Sequence, residues 1–565
     1  MPTSEPQHQQ HFAAPAETRK DSHTHLPTVA PQPRNNIAAL LADKAHNNDT
    51  ALIVPSAAGG VTHISYRELA QAAARVQDYL QSIGVREGDR VALSLPNVPL
   101  MPAIYYGVLA AGAICVPLNP LLSAAELEHH IQDSTAKVLF AWEGTRLAEE
   151  APRIPHIERG TLRLEILRAV TGQGPETCFA PFDTNSLDNT RAVLAPLPVC
   201  GADPALILYT SGTTGKPKGA TLTHANILSN AHSCAEVFGF TNADIIFGGL
   251  PLFHAFGQTV SMNATFSAGA AVALLPRFTP ADALYLIEQA RVSVLAAVPS
   301  MYLALADVLE SNPESSACLR GRIRFGISGG SPLPEPAHRR FEKLISCPIY
   351  EGYGLSETSP VVCFNRSQFG LIIGSVGRVL PGVRVQVRKQ DGTPAPTGEA
   401  GQLWISGENV MAGYWENPEA TEQAFDGSWF ASGDIASIDA DNNIYILDRI
   451  KDMVLRNGYS VYPREIEDVL YTHPQVRTAT VVGVPDERVG EEILAVILPR
   501  EATNTSQLEH ELDSLARTHL AAYKHPRRYL FVNELPLGPT GKILIRELRA
   551  ALGLTEQKQG AAKTE

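Results

Sequence analysis

Short apolar runs alternate with amphipathic segments through the first four-fifths of the chain. Ser65 and Glu68 have capping-box spacing, Leu69, Ala73, Val76 and Leu80 then share one helical face, and Gly84 marks the stop. Runs rich in β-branched and apolar residues at 90–94, 136–141, 205–209, 271–275 and 292–297 read as strands between helices. That alternation predicts an α/β fold of largely parallel sheets covered by helices. The uncharged stretch between Arg90 and Glu126 is cut by prolines 96, 99, 102, 117 and 120. Its longest Pro-free piece, 103–116, falls short of the roughly 20 residues a membrane-spanning helix needs and reads as a buried core helix.

The texture changes near residue 448. Pro463 opens a helical segment, 463–470, with Ile466, Val469 and Leu470 on one face. Strand-like 478–482 and 493–498, helical 508–520 and strand-like 529–532 follow. This reads as a separate, small α+β domain of about a hundred residues. The expected division is a disordered tail at 1–35, a large domain at 36–448, a small domain at 452–554 and a second disordered tail from 555. Four histidines in the front tail (8, 11, 23 and 25) read as part of a solvated low-complexity arm.

Charge and cysteine usage narrow the partners. Lys and Arg number 46 against 59 Asp and Glu in 565 residues, a net charge of −13. That balance argues against nucleic acid and anionic membrane surfaces, and leaves a small anion in a locally basic pocket open. The seven cysteines form no CxxC pair, which speaks against a disulfide framework or zinc ribbon and for a reducing compartment. No signal peptide is visible in the front tail, so the expected location is the cytoplasm, with peripheral membrane contact left open.

The strongest local signal runs from Tyr209 to Gly219, directly after an apolar strand. Thr210, Ser211, Thr213 and Thr214 offer hydroxyls, Gly212, Gly215 and Gly219 let backbone approach an anion, and Lys216 and Lys218 add charge. A triphosphate suits this set. It is not a Walker A loop, because Lys216 is followed by Pro217 and the glycine spacing differs.

This loop resembles the signature of the AMP-forming acyl-CoA synthetase (adenylate-forming) family, and four further motifs follow in that family's order. Glu351-Gly352-Tyr353-Gly354-Leu355-Ser356-Glu357 resembles its second motif, and the segment ending Ser432-Gly433-Asp434 its ribose-binding motif. Asp448-Arg449-Ile450-Lys451-Asp452-Met453, with Gly458-Tyr459 beyond, resembles the hinge and its following loop. Pro539-Thr540-Gly541-Lys542-Ile543 resembles the C-terminal lysine motif, and the likeness spans about residues 36 to 552.

The resemblance implies an acid–thiol ligase using ATP, Mg²⁺ and coenzyme A. A carboxylate attacks the α-phosphate of ATP to give an acyl-adenylate and pyrophosphate, and a thiol then displaces AMP. It implies Glu357 on Mg²⁺, the Ser356 hydroxyl (where the family usually has Thr) on the α-phosphate, and Tyr353 against adenine. Asp434 and Arg449 are then expected on the ribose, and Lys542 between the substrate carboxylate and the α-phosphate. The resemblance further implies a hinge at 449–451, with Lys451 as the pivot of a mobile small domain; Gly458 and Tyr459 border the pantetheine tunnel, and His254 of Pro251-Leu252-Phe253-His254 gates the acyl and pantetheine channels. Gly330 and Ser331 border adenine, with Ser331-Pro332 also reading as a helix N-cap and first turn. Two departures stand out: Arg456-Asn457-Gly458 in place of a more usual Gly-Gly pair before the tyrosine, and Ile545 where bacterial fatty acyl-CoA ligases often have a second Arg.

Alternatives remain at this stage. Transfer to a carrier-protein phosphopantetheine rather than CoA would use the same motifs. Gly326-Ile327-Ser328-Gly329-Gly330 fits the nucleophile elbow of a serine hydrolase acting through Ser328. For the acid, Glu351–Glu357 with Thr358 to Asn365 most resembles bacterial medium- and long-chain fatty acyl-CoA ligases. Val362, Cys363, Met301 and Tyr302 are uncharged, so a fatty acid is expected and an aryl or cinnamate-type acid is the alternative.

Overall fold

The computed structural model describes residues 35–56, 58–168, 193–210, 217–501, 503–538 and 542–554. Four of the omitted parts bear on expectations. The two tails expected to be disordered (Asn35 apart), residues Ser211 to Lys216 of the loop expected to hold phosphate and Pro539 to Gly541 of the lysine motif lie outside the described residues.

The first sheet has nine strands, in the order Arg378–Val379, Val361–Phe364, Ile349–Gly354, Phe325–Ser328, Val294–Ala297, Ile245–Gly248, Ala271–Leu274, Thr50–Pro55 and Val61–Ser65. Its pairings from Ile349–Gly354 across to Thr50–Pro55 are all parallel. A second, seven-stranded sheet runs Gly413–Tyr414, Lys218–Thr223, Pro204–Thr210, Ile114–Pro117, Arg90–Ser94, Val138–Trp142 and Arg163–Leu167. Only its first two pairings are antiparallel.

Helix Tyr66–Ser82 carries the expected capping box at Ser65 and Glu68 and buries Leu69, Ala73, Val76 and Leu80. It lies against helix Leu100–Ala110, all eleven residues of which are buried. The approach is close: a Cβ on Gly107 would sit 2.7 Å from the Ala73 carbonyl oxygen. The helix expected over 103–116 stops at Ala110, and Ile114–Pro117 is a central strand instead. Gly112, at φ +69°, makes the break. An uncharged run carries no periodicity by which a buried helix and a buried strand can be told apart.

A third, antiparallel sheet contains Val383–Arg388, Gly401–Gly407, Trp429–Ile438 and Phe425–Asp426, with Ile444–Arg449 paired to Trp429–Ile438. Beyond it lies the smaller C-terminal domain. Its sheet runs Tyr459–Val461, Val454–Arg456, Gly490–Pro499 and Val476–Asp486, all antiparallel, with Arg528–Phe531 paired parallel to Gly490–Pro499. Helices Pro463–Tyr471 and Thr505–His519 pack on that sheet around cores separate from those of the large domain. Asn457 (φ +52°) and Gly458 (φ +77°) form the two-residue hairpin between Val454–Arg456 and Tyr459–Val461, as an Asn-Gly pair does in a type I′ turn.

A second local expectation fails. The helix after Ser331 starts at Glu335, with Pro334 at its N-cap, so Ser331-Pro332 is neither cap nor first turn. The Leu333 N–H is taken instead by Glu351 Oε2 at 3.1 Å, which holds the segment off the helix. Six described cysteines are free thiols.

Candidate active site

Two strands build the first corner. Trp429–Ile438 and Ile444–Arg449 run antiparallel in a register that sets Asp434 opposite Arg449. Asp434 is 3% exposed, with Arg449 Nε 3.3 Å from its Oδ1, and Tyr353 Oη donates to its Oδ2. Burial pushes the Asp434 carboxyl up from its ordinary range, while Arg449, Tyr353 and Lys542 pull it back. The side chain is thereby held as an acceptor at the edge of a cleft.

Lys542 reaches this corner from the small domain. Loss of hydration is the main cause that lowers its pKa to about 8, and the Arg449 guanidinium lowers it further while Asp434 and Asp452 oppose. His254, on the loop before the helical turn Gly257–Asn263, is lowered to about 4 by loss of hydration and then by the Lys542 charge. Both side chains keep solvent access, so they stand in a deep cleft rather than in a core. At neutral pH His254 is uncharged there. Lys542, Asp434, Arg449 and His254 thus meet although they span 289 positions of sequence (542 − 254 + 1 = 289).

A second corner lies where strand Pro204–Thr210 ends. Thr210 Oγ1 donates to Glu357 Oε1 at 3.3 Å, and Tyr414 Oη donates to the same oxygen at 3.2 Å. Lys218 Nζ lies 5.2 Å from the centre of the Tyr414 ring. Ser356 shares the short helical turn Ser356–Thr358 with Glu357. Among the described residues no cluster of three or more His, Cys, Asp or Glu is arranged to hold a metal. A lone carboxylate bonded to Thr210, at the start of a loop rich in hydroxyls and lysines, still fits Mg²⁺, which takes one or two carboxylates with phosphate oxygens and water. Sequence reasoning missed Tyr414. Its signal was a Gly413-Tyr414 strand too short to stand out, which pairs with Thr221 and Ala220 just after Lys218.

The third part borders the turn at Gly330 (φ +83°) and Ser331. Glu351, expected among the nucleotide contacts, is 5% exposed and directs its carboxylate to the Leu333 N–H behind that turn. Burial raises its pKa, with Arg464 opposing. Gly352 and Gly354 serve a steric need: a Cβ on Gly354 would lie 1.8 Å from the Pro360 carbonyl oxygen, and one on Gly352 2.7 Å from the Phe364 ring. Tyr353 and Ser356 carry the hydroxyls of that segment.

The remaining expectations divide. Lys451 is exposed between the two domains, and Ile450 N donates to Gly433 O at 3.0 Å beside it. Gly458 and Tyr459 are not brought to the cleft: Tyr459 is 57% exposed and stacks on Tyr523 within the small domain, ring centres 4.9 Å apart. Arg456, the departure from Gly-Gly, is buried and paired with Glu492 at 2.8 Å. The hydrolase alternative fails on geometry, because Ser328 Oγ is buried and hydrogen-bonds to nothing among the described residues. A nucleophilic serine needs a base within hydrogen-bond reach.

Comparison with known proteins agrees with this layout. Residues 41–415 match the AMP-binding enzyme family model, and residues 465–542 match that of the AMP-binding enzyme C-terminal domain. A feruloyl-CoA synthase of Amycolatopsis sp is 36% identical over 496 residues, 87% of this chain and 95% of that protein. The long-chain-fatty-acid–CoA ligase of Bacillus subtilis (strain 168) is 32% identical over 556 residues, 93% and 96% of the two chains. The ATP-bound crystal structure of MatB from Rhodopseudomonas palustris superposes with a TM-score of 0.80 at 31% identity, covering 92% of this chain and 98% of that one. With both domains matched and the cleft between them lined as described, the chain belongs to the AMP-binding enzyme family, as an adenylate-forming acyl-CoA ligase.

Proposed function

We propose that this ligase activates an apolar monocarboxylic acid, foremost a medium- or long-chain fatty acid, with free CoA as acceptor and the cytoplasm as its site of action. The observation that carries the adenylation chemistry is the meeting of Lys542 with Asp434, Arg449 and His254 across the two domains. Asp434 accepts from the ribose hydroxyls and Arg449 donates to them. Lys542, protonated below about pH 8, neutralises charge that builds between the acid's carboxylate and the α-phosphate, and preorganised cations in a poorly hydrated site are worth most there. The Ser356 hydroxyl donates to the α-phosphate, while Thr210, Lys218 and the loop Ser211 to Lys216 hold the β- and γ-phosphates. Glu357 would hold Mg²⁺, which when bound offsets the charge of the departing pyrophosphate.

Rotation of the small domain about Lys451 then withdraws Lys542 and carries Gly458 and Tyr459 to the thiol channel. Neutral His254 lines the path between acid and thiol without adding a second cation beside Lys542. Carrier-protein phosphopantetheine is the alternative acceptor.

The acid's class is supported by uncharged surroundings: Met301, Tyr302, Val362 and Cys363 are all buried. A cinnamate-type aryl acid is the second reading, favoured by the likeness to the feruloyl-CoA synthase. Mass spectrometry of the enzyme with ATP, Mg²⁺, CoA and a panel of C4 to C18 fatty, benzoic, cinnamic and malonic acids decides between them. The expected product is a fatty acyl-CoA with AMP. A cinnamoyl or benzoyl thioester alone selects the second reading, malonyl-CoA alone overturns both, and acyl-adenylate without CoA thioester selects the carrier.

A further inference from the structure

Arg464 is the second residue of helix Pro463–Tyr471, the first helix of the small domain, yet its contacts reach across the seam. Its side chain is 14% exposed. Its backbone N–H donates to Asp448 Oδ2 at 3.2 Å, and its guanidinium Nη1 donates to the Ile446 carbonyl. Both partners lie on strand Ile444–Arg449, which sets Arg449 opposite Asp434. The positive charge is also felt by Glu351, whose carboxylate holds the Leu333 N–H behind the Gly330-Ser331 turn. Its only same-helix ionic partner among the described residues is Asp468, at a loose 3.8 Å.

These contacts divide at the pivot. Asp448, Ile446 and Glu351 precede Lys451, and Arg464 follows it by 13 positions (464 − 451 = 13). Any rotation of the small domain about Lys451 pulls the guanidinium from Ile446 and away from Glu351, and parts the Arg464 N–H from Asp448. A guanidinium cannot shed its charge when it is left unpaired. Its hydrogen bonds therefore belong to one orientation of the domains, the one in which Lys542 faces Asp434.

We propose that Arg464 is a positioning residue for the adenylation step, a latch between the helix after the hinge and the strand before it that favours the orientation presenting Lys542. It acts through domain orientation and touches no substrate. The inference rests on the reading above that the small domain turns about Lys451 between half-reactions.

The test separates the half-reactions. Arg464→Ala is expected to lower kcat/KM for ATP–pyrophosphate exchange about tenfold, as a shift of a two-state population does. Thioester formation from preformed acyl-adenylate should be unchanged or faster. Arg464→Lys, which keeps the charge but loses the planar fork, should fall between, and it carries the test if the alanine variant fails to fold. Asp468→Asn, which leaves the seam contacts in place, should match the wild type in both assays. Equal losses in both half-reactions, or no change in either, overturn the latch. Lys451→Pro tests the rotation separately, because proline fixes the backbone at the pivot. If thioester formation survives that change, the hinge reading fails, whatever Arg464 does.

Discussion

The two corners of the cleft are held in different ways. At the phosphate corner, Thr210 and Tyr414 both donate to one oxygen of Glu357, and all three belong to the large domain. At the ribose corner, Asp434, Arg449 and Tyr353 are likewise bonded together, but Lys542 joins them only through space. Its ammonium makes no hydrogen bond to any described residue, and neighbouring charges act on it at a distance. Hydrogen bonds fix a group to within a few tenths of an ångström, whereas a charge in a poorly hydrated cleft interacts over several. One corner is built to stay and the other to be visited.

The largest expected effect strikes the visiting group. Lys542→Ala should slow adenylation by about 10²–10³-fold, read by pyrophosphate exchange, while thioester formation from synthetic acyl-adenylate stays near wild type. Matching losses in the two assays would show that Lys542 serves both steps and would erase the contrast. Glu357→Gln comes next, with adenylation about 10- to 100-fold slower and a higher magnesium requirement. An unaltered magnesium titration would move the metal away from the fixed corner.

A pH profile sharpens the comparison without mutation. The Lys542 pKa is lowered to about 8, the charged form is the useful one, and its proton leaves as pH rises. Adenylation kcat/KM should therefore fall about tenfold per unit above that value, and the thioester half-reaction should lack the limb. A flat adenylation profile between pH 7 and 9.5 would contradict the role.

The smallest effect concerns stability at the seam. Loss of hydration pushes Glu467 up to about 8; the Asp448 and Asp468 charges add to the shift, while bonds from Val481 N–H and Thr480 Oγ1 oppose it. The folded chain then holds this proton to higher pH than the unfolded chain does. Stability falls as pH rises from the ordinary Glu range through about 8. Glu467→Gln keeps an acceptor for Val481 and has no proton to lose, so its thermal midpoint should exceed wild type by about 2–4 °C at pH 8 and match it near pH 4. A gap independent of pH would show that Glu467 is ionised throughout.

Much of this was legible from residue order. The Ser65 capping box, the strands near 90, 205 and 271 and the helix opened by Pro463 all rest on signals between near neighbours. The family was legible too, because five motifs in order constrain one another. The break at Gly112 was hidden by a run with no polar contrast. The inward turn of Glu351 was hidden because its partner, Leu333, lies 18 residues upstream.

The sequence by itself determined the fold class, the family and the chemical kinds of group available: hydroxyls and lysines for phosphate, carboxylates for metal and ribose, and a lysine near the end of the chain. Those follow from composition within short windows, where a side chain's type is its information. Only the tertiary structure decided which of them meet. It placed Tyr414 on Glu357, turned the Glu351 carboxylate to the Leu333 N–H, stacked Tyr459 on Tyr523 and set Arg464 across the seam. Such meetings depend on strand register and domain orientation, which are set by packing over hundreds of residues and leave no mark on any one stretch of chain.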